Sequence, residues 1–181
     1  PDSGTGAGTA RVVRKRWLVP ETIQTSAMDC GPAALQSVFE GLGVPVSYGR
    51  LREACQTGVD GTSIETIELA AAAMGLDCEQ IMIPLDHLFE ASAGNLPALV
   101  VVKLPNEGTH FVVAWRKVGR WIQVMDPAVG RSWFPETEFT MTDREAPELR
   151  ALDLLDVQVW QTVYWAEVER RIGPVFARAD T

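Results

Sequence analysis

Two kinds of hydrophobic pattern divide the chain. From Cys30 to Gly41 the apolar residues Ala33, Ala34, Leu35, Val38 and Phe39 recur at the spacing of a helix face. Pro32 suits its first turn, where a missing N–H leaves no bond unmade, and Gly41 and Gly43 supply the stop. Ser47 is placed to cap a second helix over 47–55. Ser63, followed by Glu65, Thr66 and Glu68, is placed to cap a third that runs through alanines to Met74 and ends at Gly75. Beyond this point the runs become short, β-branched or aromatic, and bounded by Pro, Gly or Asn. "CEQIMI" (78–83), "PALVVV" (97–102), "HFVVAW" (110–115) and "RWIQVMD" (120–126) read as strands. "LDHLFEA" (85–91) reads as a short helix between the first two, and "KVGR" (117–120) as a hairpin turn between the last two. Helices first and a mostly antiparallel sheet second make an α+β arrangement with segregated halves. The stripe Leu149, Leu152, Leu155, Val159 and Val163 fits a helical tail, the preferred reading, while Val157, Val159 and Val163 also fit part of a strand.

Composition narrows the class. With 181 residues and 46% hydrophobic content the chain can build one real core. A net charge of −8 argues against nucleic acid as a partner, because phosphate binding needs a basic surface. The longest apolar run, "LPALVVV", is far short of the ~20 residues that span a bilayer. The opening "PDSGTGAGTA" has no apolar segment behind it and does not read as a signal peptide. "RVVRKRW" follows, with four basic residues in six positions, and reads as a solvated arm. Residues 1–16 are therefore expected to form a flexible basic lead-in, 17–140 the folded domain, and 141–181 a C-terminal extension. A start at Pro1 rather than Met is compatible with a piece of a longer protein. Cys30, Cys55 and Cys78 match neither a zinc pattern nor a disulfide framework. Reduced thiols are the simplest reading, and no metal or other cofactor is expected.

The candidate chemistry centres on Cys30. It opens the first helix, where free N–H groups and the helix dipole favour a thiolate. His110 opens the strand 110–115, and Asp126 closes the strand 120–126. If these strands pair through "KVGR", their outer ends lie side by side and the carboxylate can orient the imidazole. Gln24, six residues upstream of Cys30, offers an amide as oxyanion donor, beside the Cys30 N–H. Singly, each residue has a structural explanation: cysteines are usually core, and Asp before Pro is a turn former. Only the combination, each member in its fitting context, favours chemistry. Cys55 and Cys78 lack that context and read as buried. The other histidine, His87, is expected to face solvent on its short helix.

The stretches "QTSAMDCGPAAL", "LREACQTGVDGTSIETIELAAAAMGL", "HFVVAW" and "MDPAVGR" together resemble the bacteriocin-processing, double-glycine leader peptidase family. These are papain-like cysteine peptidases, usually the N-terminal domain of peptidase-containing ABC transporters. The likeness covers about residues 17–139 and does not extend over 140–181. It implies a papain-like fold, with Cys30 as nucleophile, His110 as general base and acid, Asp126 as orienting residue and Gln24 as oxyanion donor. It implies cleavage of ribosomally made peptides after a Gly-Gly-type pair. It also implies association with ABC-transporter membrane and ATPase domains, at the cytoplasmic face of the inner membrane. Two other readings stay open: a recognition domain that binds leader or cargo without cutting it, and a papain-like acyl or amide transferase.

Overall fold

The structure is a computed structural model that describes residues 15–81, 85–91, 94–103, 108–137 and the backbone of 159–161. Its central element is α1 (Cys30–Gly41), of which only Gln36 and Glu40 escape burial. A helix apolar nearly all round must be surrounded. Around it stand α2 (Tyr48–Ala54), α3 (Ile64–Ala73) and the first face of the sheet. Ser47 accepts from the Arg50 N–H and Ser63 from the Thr66 N–H, the two N-caps expected from the sequence. A fourth helix, α4 (Leu85–Leu88), is shorter than the expected 85–91.

The sheet comprises β1 (Ala98–Lys103), β2 (Thr109–Val118), β3 (Trp121–Asp126), β4 (Gly130–Pro135) and β5 (Val159–Gln161). The order is β4-β3-β2-β1-β5, antiparallel throughout. Leu99, Phe111, Val113, Trp115 and Met125 face α1 in the first core. Val100, Val102, Val112, Ala114, Ile122 and Val124 form a second core on the opposite face, with Leu88 and Phe89 of the α4 region. Gly119, at φ +57°, is the first central residue of the two-residue β2–β3 turn that Val118 and Trp121 close.

Three sequence expectations are corrected and one element is added. Residues 78–81 carry no strand: Cys78 packs against the first core without joining the ladder, and residues 82–84 lie outside the described residues. The strand β4 was not anticipated; it returns through a tight turn that ends at Gly130, φ +103°. Val159–Gln161, placed in a helical stripe by its sequence, pairs instead with Ala98–Val100 as an edge strand. The rest of the expected tail helix lies outside the described residues. Lys15 and Arg16, assigned to the flexible lead-in, are docked. Lys15 Nζ donates to the Trp115 carbonyl at 2.7 Å, and the Arg16 N–H to the Gly41 carbonyl at 2.8 Å.

From there the chain runs as a strap along the sheet. The Arg16 carbonyl accepts from Trp115 Nε1 and Arg116 Nη2, and Val19 N–H donates to the buried Gln123 Oε1 at 2.7 Å. The Val19 carbonyl accepts from Arg131 Nη1, and Glu21 pairs with the same guanidinium. The strap ends where the Gln24 N–H donates to the Pro127 carbonyl at 2.9 Å, directly after β3. No described helix is long and apolar enough to cross a membrane.

Close approach of α1 to β2 depends on glycine. A Cβ on Gly41 would lie 2.8 Å from Trp115 Cζ2, in a fully buried ring. Gly41→Ala is therefore expected to destabilise the fold by about 1–3 kcal/mol, the usual cost of overpacking a filled core. Urea denaturation of the two proteins measures it, and an unchanged midpoint contradicts the packing described.

Candidate active site

A one-residue irregularity in the sheet sets the site. Val118 pairs with Trp121, but between Ala114 and Arg116 the register shifts, so that Val113 pairs with Met125. Continuing that register places Asp126 across from Val112, two residues from His110 and on the same face. Without the bulge Asp126 would fall opposite Val113, and His110 would project from the other face of the strand. With it, His110 Nε2 stands 2.6 Å from Asp126 Oδ1. The same carboxylate oxygen accepts the Ala128 N–H at 2.7 Å, which pins it against the β3–β4 turn.

Cys30 is the first residue of α1, with His110 as its neighbouring titratable group. With Nε2 on Asp126, Nδ1 is the ring nitrogen left for the sulfur. Burial alone would push the Cys30 thiol up. The donor character of the nearby His110 ring, the Phe111 backbone, the imidazolium charge and the Gly31 backbone outweigh it and hold the thiol below its ordinary value. For His110, burial favours the neutral ring, yet Asp126 first and Cys30 second raise its pKa to about 9. Each shift favours the charged form of its group, and the His110 Nε2–H donates to Asp126. Cys30 is 7% exposed and His110 6%, so both side chains are largely shielded from solvent.

The structure brings Cys30, His110 and Asp126 together and holds the Gln24 backbone beside Asp126 through Pro127. The Gln24 side-chain oxygen is buried without a partner among the described residues. His87 is exposed on α4, whose Leu88 packs on the far face of the sheet. Cys55 is buried, as expected; Cys78 is only half-buried and donates weakly to the Glu68 carbonyl. Burial raises the Cys55 thiol to about 11. Burial first, then Glu68 and Asp77, raise Cys78 to about 12. Sequence reasoning passed over Asp29, although it adjoins Cys30. Its carboxylate is fully buried, accepting from Thr25 Oγ1 at 2.6 Å and Arg52 Nε at 2.9 Å. Burial opposes its ionisation, but Thr25 and Arg52 together hold its pKa below the usual value.

Helices ahead of an antiparallel sheet, a cysteine opening the central helix and a histidine opening a central strand define the papain-like cysteine peptidases. Within that class the chain belongs to the peptidase C39 family, whose model matches residues 19–142. It is 29% identical over 113 residues, 62% of this chain, to the pediocin PA-1 transport/processing ATP-binding protein PedD of Pediococcus acidilactici. The match spans only 16% of that relative's length. A protein of Methanothermobacter marburgensis is 33% identical over 119 residues, covering 65% of this chain and 79% of the relative. Among solved structures, a double glycine motif protease from an AMS/PCAT transporter, in complex with the leader peptide, superposes with a TM-score of 0.60 at 25% identity. That match covers 83% of this chain and 97% of the other.

The three thiols differ enough to be told apart chemically. Iodoacetamide near neutral pH is expected to label Cys30 at least about ten-fold faster than Cys55 or Cys78, since thiolate content governs the rate. Peptide mapping of the folded, alkylated protein reads this directly, and equal labelling of all three thiols contradicts the assigned environments.

Proposed function

We propose that this chain is an endopeptidase that removes leader peptides from ribosomally made peptides after a double-glycine-type site. The observation that carries the reading is the Cys30–His110–Asp126 arrangement in a family whose solved relative holds a leader peptide. In this mechanism Cys30 Sγ attacks the carbonyl carbon of the residue before the cut. Its C=O electrons move onto oxygen, which the N–H groups at the start of α1 and the Gln24 amide stabilise. The tetrahedral centre collapses, the C–N bond breaks, and the His110 imidazolium gives its proton to the leaving amine. A water then attacks the thioester and loses a proton to the imidazole, and the acid departs as Cys30 returns to thiolate. Asp126 keeps Nε2 protonated and Nδ1 aimed at the sulfur throughout.

The burial of Cys30 and His110 supports glycine at the cut. With both reacting side chains more than nine-tenths buried, a substrate backbone reaches them only when no bulky side chain precedes it. Steric exclusion of this kind discriminates by only ~1–3 kcal/mol per methylene, so the rest of the selectivity comes from contacts with the leader away from the cut. Work on behalf of an ABC exporter, at the cytoplasmic face of a bacterial membrane, follows from the relatives as part of the same proposal.

Mass spectrometry of a synthetic double-glycine leader peptide incubated with the protein is expected to show two fragments that meet at the Gly-Gly site. Cys30→Ala should bind the leader but release no fragment, and replacing either Gly by Val should remove most cleavage. A Cys30→Ala protein that cuts as well as the native one rejects the nucleophile. Binding without cutting in the native protein points to a recognition domain, and transfer of the acyl group to an added amine points to a transferase.

The pH profile carries a second test. Because the proton His110 donates is lost as pH rises through about 9, kcat/KM should fall over that range. Asp126 is the strongest upward influence on this histidine, so Asp126→Asn should shift the alkaline limb to lower pH, toward the ordinary imidazole value. A limb that stays in place separates Asp126 from the titration.

A further inference from the structure

A carboxylate taken wholly out of water needs partners on both oxygens. Asp29 finds them across two elements: Thr25 Oγ1 on Oδ2 and Arg52 Nε of α2 on Oδ1. Asp29 is also the N-cap residue of α1, yet its side chain makes no capping bond. An aspartate at this place ordinarily accepts from the helix's own N–H groups. Here that capacity is diverted backward, onto the loop that precedes the cysteine.

That loop joins the two parts of the site. Gln24 is fixed to the β3–β4 turn through Pro127, and Cys30 opens α1. Between them the chain turns back, with the Asp29 N–H on the Ser26 carbonyl at 3.1 Å. Thr25 adjoins Gln24, and Asp29 adjoins Cys30. A single hydrogen bond of 2.6 Å, from Thr25 to Asp29, therefore closes the loop between the neighbours of the two residues. Arg52, with 48% of its side chain exposed, anchors the closed loop to α2 from outside. It also supplies the counter-charge that a buried anion beside a thiolate requires.

Resting on the peptidase reading above, we propose that Asp29, with Thr25 and Arg52, is a positioning residue that sets the Gln24 amide at the distance from Cys30 where an oxyanion forms. None of the three touches substrate. Their effect is on the geometry in which Gln24 meets the tetrahedral centre, so it falls on kcat rather than on KM.

Thr25→Val tests this with little threat to folding, because Thr25 is exposed and Val keeps its branched shape. The substrates are a synthetic double-glycine leader peptide and a Gly-Gly amide of 7-amino-4-methylcoumarin, which lacks a leader. On either one Thr25→Val is expected to lower kcat about ten-fold with KM within about two-fold, the scale of loss from a small misplacement of a catalytic group. Thr25→Ser, which keeps the hydroxyl, should stay within about two-fold of native. Gln24→Ala alone should lower kcat about 10²–10³-fold, the usual effect of removing one oxyanion donor, and adding Thr25→Val to it should lower kcat no further. Asp29→Ala should follow the same pattern, with melting temperature recorded alongside. Losses that multiply in the double variant overturn the proposal, because the loop then acts apart from Gln24. So does a Thr25→Ser variant as poor as Thr25→Val, or a folded Thr25→Val protein with native kcat. A native protein that cuts the amide and spares the leader overturns the proposed substrate, while the amide series still decides the role of Asp29. One that cuts neither overturns both.

Discussion

A buried cysteine has its thiol pKa lowered only where donors and a positive charge replace the water it has lost. In this chain that requirement falls on the contact between the first turn of α1 and the first residues of β2. Glycine makes close packing possible at both ends of the helix. A Cβ on Gly31 would stand 2.9 Å from Ile67 Cδ1 of α3, and one on Gly41 would enter the Trp115 ring of β2. Without those two atoms the helix lies between α3 and β2, and its open N–H end meets His110. The buried apolar length of α1 holds it there, so the energetics of the core and the electrostatics of the site are one arrangement.

The N-terminal strap does for Gln24 what α1 does for Cys30. Its bonds run from Trp115 and Arg116 at one end of β2 to Pro127 just after β3, and most involve a backbone group of the strap. Backbone tethering leaves the side chains free to vary, and holds the Gln24 backbone beside the end of β3. Asp29 and Thr25 then fix how far the chain travels between this tether and the helix. Gln24 and Cys30 are thus located from two independent supports, the sheet and α2, that meet in a loop of a few residues.

Much of this was legible in the sequence because its causes are local. A helix with Pro32 in its first turn and Gly43 beyond its end, serine caps at 47 and 63, and a Gly-containing two-residue turn each declare themselves over a few positions. The elements that misled depend on neighbours. Residues 78–81 have strand-like composition but no ladder partner, and Val159–Gln161 is a strand because the edge of β1 is open to it. In β4 the polar and aromatic residues alternate weakly, since only part of each face is covered. The site divides in the same way. Cys30, His110 and Asp126 were readable from element ends, whereas Asp29 gains its meaning from Arg52, 23 positions away on another helix. Nothing in the local pattern distinguishes a buried carboxylate from a turn former.

The bulge between Ala114 and Arg116 makes the meeting of His110 and Asp126 a matter of odd and even. Because side chains alternate along a strand, His110 and Asp126 meet only while the count of paired positions between them keeps its present parity. An insertion or deletion of one residue absorbed within the paired parts of β2 or β3 turns one partner away from the other, even if every hydrogen bond of the sheet re-forms. A change of two returns them to one face but displaces them about 7 Å along the strand, whereas a change of one accompanied by the loss or gain of a bulge restores them. A change absorbed in the Gly119–Arg120 turn leaves them untouched. Length variation in this hairpin is therefore confined to its tip or to compensated steps, a constraint that acts through backbone arithmetic and not through the identity of any side chain.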